Sequence, residues 1–171
     1  GGYYRGSVAA TRALVAKISA EAKIKCLSIN YRLAPEHPFP AAINDTYSAY
    51  EWLINEGVSP EKIIVSGQSA GGGLCLALLL KIKENNIPQP LGAVALSPWT
   101  DLSQTGNTMV TNEKIDPIIS KKYLDRFAKL YFPESYNMSY LASPIIGELS
   151  KLPDMLFQVG FAETITDDSR R

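Results

Sequence analysis

The sequence predicts an α/β fold in which a mostly parallel, doubly wound sheet lies between two layers of helices. Two observations favour this class: short apolar runs alternate with longer segments of helical periodicity, and glycines or prolines separate them. With 171 residues, of which 46% are hydrophobic and 20% charged, the chain is typical of a single globular domain. In such folds the active site lies at the carboxyl ends of the strands.

The first part of the chain predicts two helices and two strands around a rigid connection. An amphipathic helix begins with a cap near Ser7 and runs to Lys23, and a second helix covers 41–56. The apolar run Ile24–Asn30 predicts a buried strand, and the β-branched run 63–65 predicts another that leads into a turn. Three prolines between these elements, within 31–40, forbid regular structure there.

The second part continues the alternation. Residues 71–85 predict a helix with apolar residues around most of its circumference, which is expected of a helix buried in the core. A strand is predicted over 91–96, a helix over 120–132 and a last strand over 155–159. A loop containing Pro133 and Pro144 separates the last two elements.

Composition excludes several kinds of partner and cofactor. The 17 basic residues balance the 17 acidic ones without clustering, which argues against nucleic acid. No apolar run approaches the ~20 residues of a membrane span, and we expect a cytoplasmic protein. Cys26 and Cys75 lie in apolar runs, which predicts two buried thiols and no disulfide. No His/Cys cluster has metal-ligand spacing, and Gly71-Gly72-Gly73 lacks a nucleotide-binding pattern, so no cofactor is predicted.

The strongest chemical signal is the segment Gly67-Gln68-Ser69-Ala70-Gly71, a G-x-S-x-G motif between a predicted strand and a predicted helix. A sharp turn there forces the serine into a strained backbone conformation, called the nucleophile elbow, and excludes side chains at the flanking glycines. Ser69 is therefore predicted to be a nucleophile at a helix N-terminus. The alternative is a glycine-rich connection with an ordinary helix-capping serine.

Four segments together resemble the hormone-sensitive-lipase-like family of α/β-hydrolases, particularly its bacterial esterases and ε-lactone hydrolases. They are Gly1-Gly2-Tyr3-Tyr4-Arg5-Gly6-Ser7, the proline-rich segment 31–42 with its Tyr-Arg-Leu-Ala-Pro-Glu-His core, Gly67-Gln68-Ser69-Ala70-Gly71-Gly72 and Leu96-Ser97-Pro98-Trp99-Thr100-Asp101. The resemblance implies that residues 1–171 are part of a catalytic domain. The N-terminal cap, the first strands and the C-terminal strand and helix with the catalytic histidine are then expected outside this sequence.

The resemblance also implies an oxyanion hole. Gly1 and Gly2 match the last two glycines of the family's His-Gly-Gly-Gly segment, and Ala70 would supply the third backbone N–H. Such donors stabilise the tetrahedral oxyanion by about 3 to 4 kcal/mol, as judged from removing one of them. Three aromatic residues are candidates for lining a substrate pocket, with packing as the alternative; they are Tyr3, Tyr4 and Trp99.

Glu163 is the candidate for the acid of the triad. It follows the last predicted strand and, with Gly160 three residues before it, is similar to the family segment that carries the acidic residue. Asp167 is the substitute, with a helix-capping or solvated carboxylate as the alternative. The chain order of this fold places the base after the acid, beyond Arg171. The single histidine, His37, matches a position that the family uses structurally and is expected to be a hydrogen-bonded scaffold residue.

The predicted function is that of a carboxylic ester hydrolase with a Ser-His-Glu triad and an acyl-enzyme intermediate. The resemblance implies short or medium acyl esters or lactones as substrates, no cofactor, and leaves a homodimer open. The 171-residue chain alone is expected to be inactive because it lacks the base. The alternative is a non-catalytic protein that binds a small ligand, as the plant gibberellin receptors of this family do after losing the histidine.

Overall fold

The computed structural model describes residues 1–133 and 138–171, so the middle of the loop predicted between Pro133 and Pro144 lies outside the described residues. Three strands are found in these ranges: β1 (Ile64–Gln68), β2 (Gly92–Leu96) and β3 (Asp154–Gln158). The helices are α1 (Val8–Ala22), α2 (Ala41–Asn55), α3 (Ala70–Glu84), α4 (Thr108–Thr111), α5 (Lys121–Tyr131) and α6 (Thr166–Arg170). Short 3₁₀ turns cover Pro60–Lys62 and Pro144–Ile146.

The strands form one parallel sheet in the order β1, β2, β3. Their register aligns the last residues of all three strands, Gln68, Leu96 and Gln158. The segments that follow the strands therefore begin side by side at one edge of the sheet, where a parallel α/β fold holds its ligands. The prediction of an α/β fold with a parallel sheet is confirmed.

Helix α3 is the centre of the core. It packs against β1, β2 and α2, and its middle turns from Leu74 to Leu80 are buried throughout. Small side chains on β2, Ala93 and Ala95, let the helix approach the sheet. Burying each large apolar side chain contributes about 1.5 to 3 kcal/mol, so this helix anchors the layer.

The other face of the sheet is exposed. Ile64 on β1 and Leu156 on β3 are 53% and 61% exposed. Helix α1 is described along its whole length and buries none of its side chains. Its predicted N-cap is confirmed, because the Ser7 hydroxyl accepts a hydrogen bond from Ala10 N.

The strand predicted over Ile24–Asn30 is absent from the described structure, where these residues form neither a helix nor a paired strand. Ile24 and Leu27 are 48% and 54% exposed. An apolar run becomes a strand only when a neighbouring strand pairs with it, and the described residues provide none beside this one. For the same reason the prediction that Cys26 is buried is wrong, whereas Cys75 is buried in α3, and both cysteines are free.

The first turn of α3 lies unusually close to the loop after β2. A Cβ at Gly72 would lie 2.7 Å from Pro98 Cβ, and a Cβ at Gly73 would lie 2.1 Å from the Trp99 carbonyl oxygen. No side chain fits at either distance without moving the backbone. These glycines therefore let the helix and the loop touch, a role that their sequence did not reveal.

Replacing Gly73 by alanine is expected to lower the free energy of unfolding by about 2 kcal/mol or more, because the added Cβ overlaps a carbonyl oxygen. Gly71→Ala is the matched control: a Cβ at Gly71 meets nothing within 4 Å outside the helix's own backbone. The control should be neutral or stabilising by up to ~1 kcal/mol, as alanine is in a helix. Urea unfolding of both variants measures the difference, and equal stabilities would contradict this account of the contact.

Candidate active site

Ser69 occupies the turn between the last residue of β1 and the first residue of α3. Its backbone has φ 56° and ψ −121°, a region that residues other than glycine rarely adopt. Three hydrogen bonds hold this conformation: Ser69 N donates to Leu96 O at 2.9 Å, and Ser69 O accepts from Trp99 N at 3.0 Å and from Gly73 N at 3.1 Å. The predicted sharp turn at the serine is present.

The Ser69 side chain makes no capping hydrogen bond to α3, although the residue stands at the N-cap position. The helix-capping interpretation is therefore wrong. Gly67 is required as predicted, since its Cβ would lie 2.2 Å from the carbonyl oxygen of Gly71. The same expectation is wrong for Gly71, which has open space where a Cβ would stand. The steric crowding at this turn thus lies on the strand side of the serine.

The N-terminus of α3 provides a favourable electrostatic environment beside Ser69. Ala70, the first residue of the helix, is completely buried. The first N–H groups of a helix lack acceptors within the helix and carry a partial positive charge. An oxygen that becomes negative next to Ser69 is stabilised by such groups.

Glu163 lies in a tight turn after β3, where its N–H donates to Gly160 O at 3.1 Å. One carboxylate oxygen, Oε1, accepts two hydrogen bonds, from Gly160 N at 2.7 Å and from the hydroxyl of Ser97 at 2.9 Å. Among the described residues no hydrogen bond reaches Oε2. The carboxylate is thus held by one oxygen and keeps the other available.

The turn that carries Glu163 is fixed by neighbouring loops. The side-chain amide of Asn112 donates to Glu163 O at 2.9 Å, and the Thr166 hydroxyl donates to the same oxygen at 2.6 Å. The carboxylate of Asp116 accepts from both the N–H and the hydroxyl of Thr164, at 2.8 and 2.7 Å. Burial alone would raise the pKa of Asp116, but the hydrogen bonds from Thr164 and from the N–H groups of Ile118 and Ile119 together outweigh it and lower the pKa.

The loop that follows β2 connects Ser69 with Glu163. Leu96 and Trp99 hydrogen-bond the backbone of Ser69, while Ser97, between them, hydrogen-bonds the carboxylate of Glu163. Because the three strands end in register, the nucleophile candidate and the acid candidate lie at the same edge of the sheet. Both residues follow strands as predicted, whereas no sequence pattern indicated a role for Ser97.

The segment of the N-terminal glycines lies beside Phe127 of α5. The Gly1 nitrogen is the amino terminus here and donates to Arg5 O. Gly2 has φ 66°, and a Cβ at this position would lie 2.9 Å from Cδ2 of Phe127. The next residue anchors the segment, because Tyr3 O accepts a hydrogen bond from Ala34 N at 2.9 Å. The oxyanion roles of Gly1, Gly2 and Ala70 stay predictions.

Two of the aromatic candidates are core residues. Tyr3 is 1% exposed and Trp99 is 0% exposed, and Tyr3 stacks on Tyr131 with ring centroids 3.7 Å apart. Side chains so deeply buried leave no surface for a ligand, which favours the packing interpretation for both. Tyr4 is half-buried and stacks on Phe127, with centroids 4.4 Å apart. Tyr4 alone of the three stays a candidate for contact with a substrate.

Neither of the two remaining candidates is hydrogen-bonded to the carboxylate of Glu163. Asp167, in α6, accepts a hydrogen bond from Thr108 N at 3.1 Å, which agrees with its alternative role in capping. His37 has an exposed side chain, and its backbone N–H donates to Leu33 O at 2.8 Å. The hydrogen bond of His37 is thus made by its backbone, within the proline-rich connection.

Asp168 is a structural carboxylate that sequence analysis did not single out. It is 5% exposed, and its Oδ2 accepts the N–H groups of Thr100 at 2.8 Å and of Asp101 at 2.9 Å. Burial raises the pKa of Asp168 to about 6; the negative charge of Asp101 adds to this, and the two backbone hydrogen bonds oppose it. Asp168 therefore fixes the same loop that holds Ser69.

This pKa shift predicts a specific pH dependence of stability. Because the folded state binds the Asp168 proton more tightly than the unfolded chain does, its stabilising contribution is complete below about pH 4 and is lost as the pH rises through about 6. A shift of about two pKa units corresponds to about 3 kcal/mol. Asp168→Asn removes this titration. Urea unfolding across this pH range should show the variant gaining stability relative to the wild type as the pH rises, and parallel curves would contradict the assignment.

Neither a metal centre nor a membrane span is found in the part of the chain that the structure describes. No three His, Cys, Asp or Glu side chains are grouped there as metal ligands would be. No helix among residues 1–133 and 138–171 has the length and apolar character to cross a bilayer.

A serine strained between a parallel strand and a helix, with a carboxylate after a nearby strand, defines the α/β-hydrolase class. A family model described as alpha/beta hydrolase fold matches residues 1–171. The chain therefore belongs to the α/β-hydrolase fold family.

Named relatives confirm the resemblance to the hormone-sensitive-lipase-like family. A solved structure of an esterase from the bacterial hormone-sensitive lipase family superposes with a TM-score of 0.97 at 42% identity, covering 99% of this chain and 57% of that one. The chain is 35% identical to an esterase of Acinetobacter venetianus over 172 residues and 36% identical to an acetyl-hydrolase of Streptomyces hygroscopicus over 170 residues. It covers 57% of the length of each of these two curated relatives.

Proposed function

We propose that this chain is the core of a carboxylic ester hydrolase in which Ser69 is the nucleophile. The observation that carries the proposal is the backbone of Ser69, held at φ 56° while its hydroxyl makes no capping bond at the start of α3. A strained conformation persists only where surrounding structure imposes it, and such strain concentrates at functional sites. The names of the relatives, esterase and acetyl-hydrolase, support ester hydrolysis as the reaction.

In the proposed reaction the Ser69 hydroxyl attacks the carbonyl carbon of an ester, and a histidine removes its proton. The tetrahedral oxyanion accepts hydrogen bonds from the backbone N–H of Ala70 and from those of Gly1 and Gly2. Collapse expels the alcohol, which takes the proton back from the histidine, and leaves an acyl-enzyme that water hydrolyses. Glu163 orients the histidine and stabilises its cation. The histidine is expected beyond Arg171, as the chain order of the fold requires.

The proposed substrates are esters or lactones with short or medium acyl groups. The acetyl-hydrolase name of one relative supports a small acyl group. The reaction needs neither a metal nor an organic cofactor, because the hydroxyl, the imidazole and the backbone N–H groups perform each step.

Ser69→Ala is expected to lower kcat for p-nitrophenyl acetate by about 10⁶-fold in the protein encoded by the complete gene, since the nucleophile of a triad is lost. Binding of the ester should change little, so KM is the internal control. The isolated 171-residue chain, whose single histidine is His37, should hydrolyse the ester no faster than its own Ser69→Ala variant. Full activity in the variant would contradict the assignment, and tight ligand binding without any turnover would favour the receptor alternative.

Glu163→Gln keeps the shape of the side chain and removes the charge that stabilises the imidazolium. We expect kcat to fall by about 10⁴-fold, the effect of neutralising the acid of a triad. Asp167→Asn is the matched control, because it makes the same chemical change four residues away on a carboxylate bonded to Thr108 N. The kinetics of ester hydrolysis distinguish the two residues, and a larger loss in the control would transfer the role to Asp167.

A further inference from the structure

Ser97 is held in an unusual conformation directly after β2. Its φ of 43° lies in the left-handed region that favours glycine, yet the residue carries a side chain. Its N–H donates to Gln158 O at 2.6 Å, so the backbone is fastened to the end of β3. This conformation directs the Ser97 hydroxyl to the carboxylate of Glu163, whose Oε1 lies 2.9 Å away.

Both hydrogen bonds to this carboxylate reach the same one of its two oxygens. Gly160 N and the Ser97 hydroxyl both donate to Oε1, at 2.7 and 2.9 Å. The terminal torsion of a glutamate is broad, and a single donor leaves the carboxylate plane free to turn. Two donors from different loops fix that plane and leave Oε2 for another donor.

We propose that Ser97 is a positioning residue for the reaction: its hydroxyl holds Oε1 of Glu163 so that Oε2 faces the histidine. The inference rests on the proposed function, in which Glu163 is the acid of the triad. Ser97 acts through Glu163, and no step transfers a proton to or from it. Without this hydrogen bond the carboxylate samples orientations that do not support the imidazolium.

The hydroxyl of Ser97 can be removed without disturbing its backbone. Glycine adopts a φ of 43° readily and keeps the N–H that donates to Gln158 O. Ser97→Gly therefore removes the hydroxyl and the Cβ at a backbone conformation that glycine tolerates, and Ser97→Ala removes the hydroxyl alone. Ser143→Ala is the matched control for a structural serine. The Ser143 hydroxyl is buried and donates to Thr100 O at 3.2 Å, in the same loop.

The test measures kcat, KM, the pH profile and thermal stability in the protein encoded by the complete gene. Both Ser97 variants should lose about ten- to a hundredfold in kcat, the value of one hydrogen bond to a charged group, with KM little changed. The acid limb of kcat/KM should move to lower pH, because a poorly oriented carboxylate stabilises the imidazolium less. Ser143→Ala should lower the melting temperature and leave kcat and the pH profile unchanged.

A double-mutant cycle separates positioning from a merely structural role. If Ser97 acts through Glu163, Ser97→Gly should cost no further activity once Glu163→Gln is present. If the kcat losses of the two single variants multiply in the double variant, the inference is overturned. It is also overturned if Ser97→Gly loses stability but keeps the wild-type kcat and pH profile. Either result leaves the proposed function intact. Retention of activity in Glu163→Gln would overturn the inference and remove Glu163 from the proposed triad, whereas the assignment of Ser69 as the nucleophile would stand.

Discussion

The strained turn at Ser69 depends on the loop that leaves β2. Ser69 N donates to Leu96 O at the end of β2, and the carbonyl oxygen of Ser69 accepts from Trp99 N in the loop, so both backbone groups of the serine are bound by this segment. These bonds form only because Gly73 lets α3 approach that loop to within backbone contact. The position of the hydroxyl is therefore set by tertiary contacts, with the local sequence making the turn sterically feasible.

The same loop organises the carboxylates at this edge of the sheet. Its first residue, Ser97, holds the side chain of Glu163, and its later N–H groups, from Thr100 and Asp101, bind Asp168. Asp168 is buried with a raised pKa, whereas Glu163 keeps one oxygen without a described hydrogen bond. Two carboxylates five residues apart in the chain thus play different parts, one fastening the loop and the other available to a base.

Sequence alone predicted the elements whose signals are local. The cap at Ser7, the helix over 120–132, the buried helix α3 and the turn at Ser69 were all predicted, because each follows from periodicity or from steric limits within a few residues. The strand expected over Ile24–Asn30 failed, since a strand exists only with a partner. Ser97 and Asp168 were missed for a related reason: their roles come from contacts across 66 or more residues, which no local pattern encodes.

The central claim is that the hydroxyl at position 69 is the reactive group of an ester hydrolase. Peptide mapping by mass spectrometry, after the protein from the complete gene reacts with an alkyl fluorophosphonate, tests it most directly. The account predicts one phosphonylated residue, Ser69, with activity lost in proportion to the label. Label at another residue with the same loss of activity, or full activity after Ser69 has been completely modified, would contradict it.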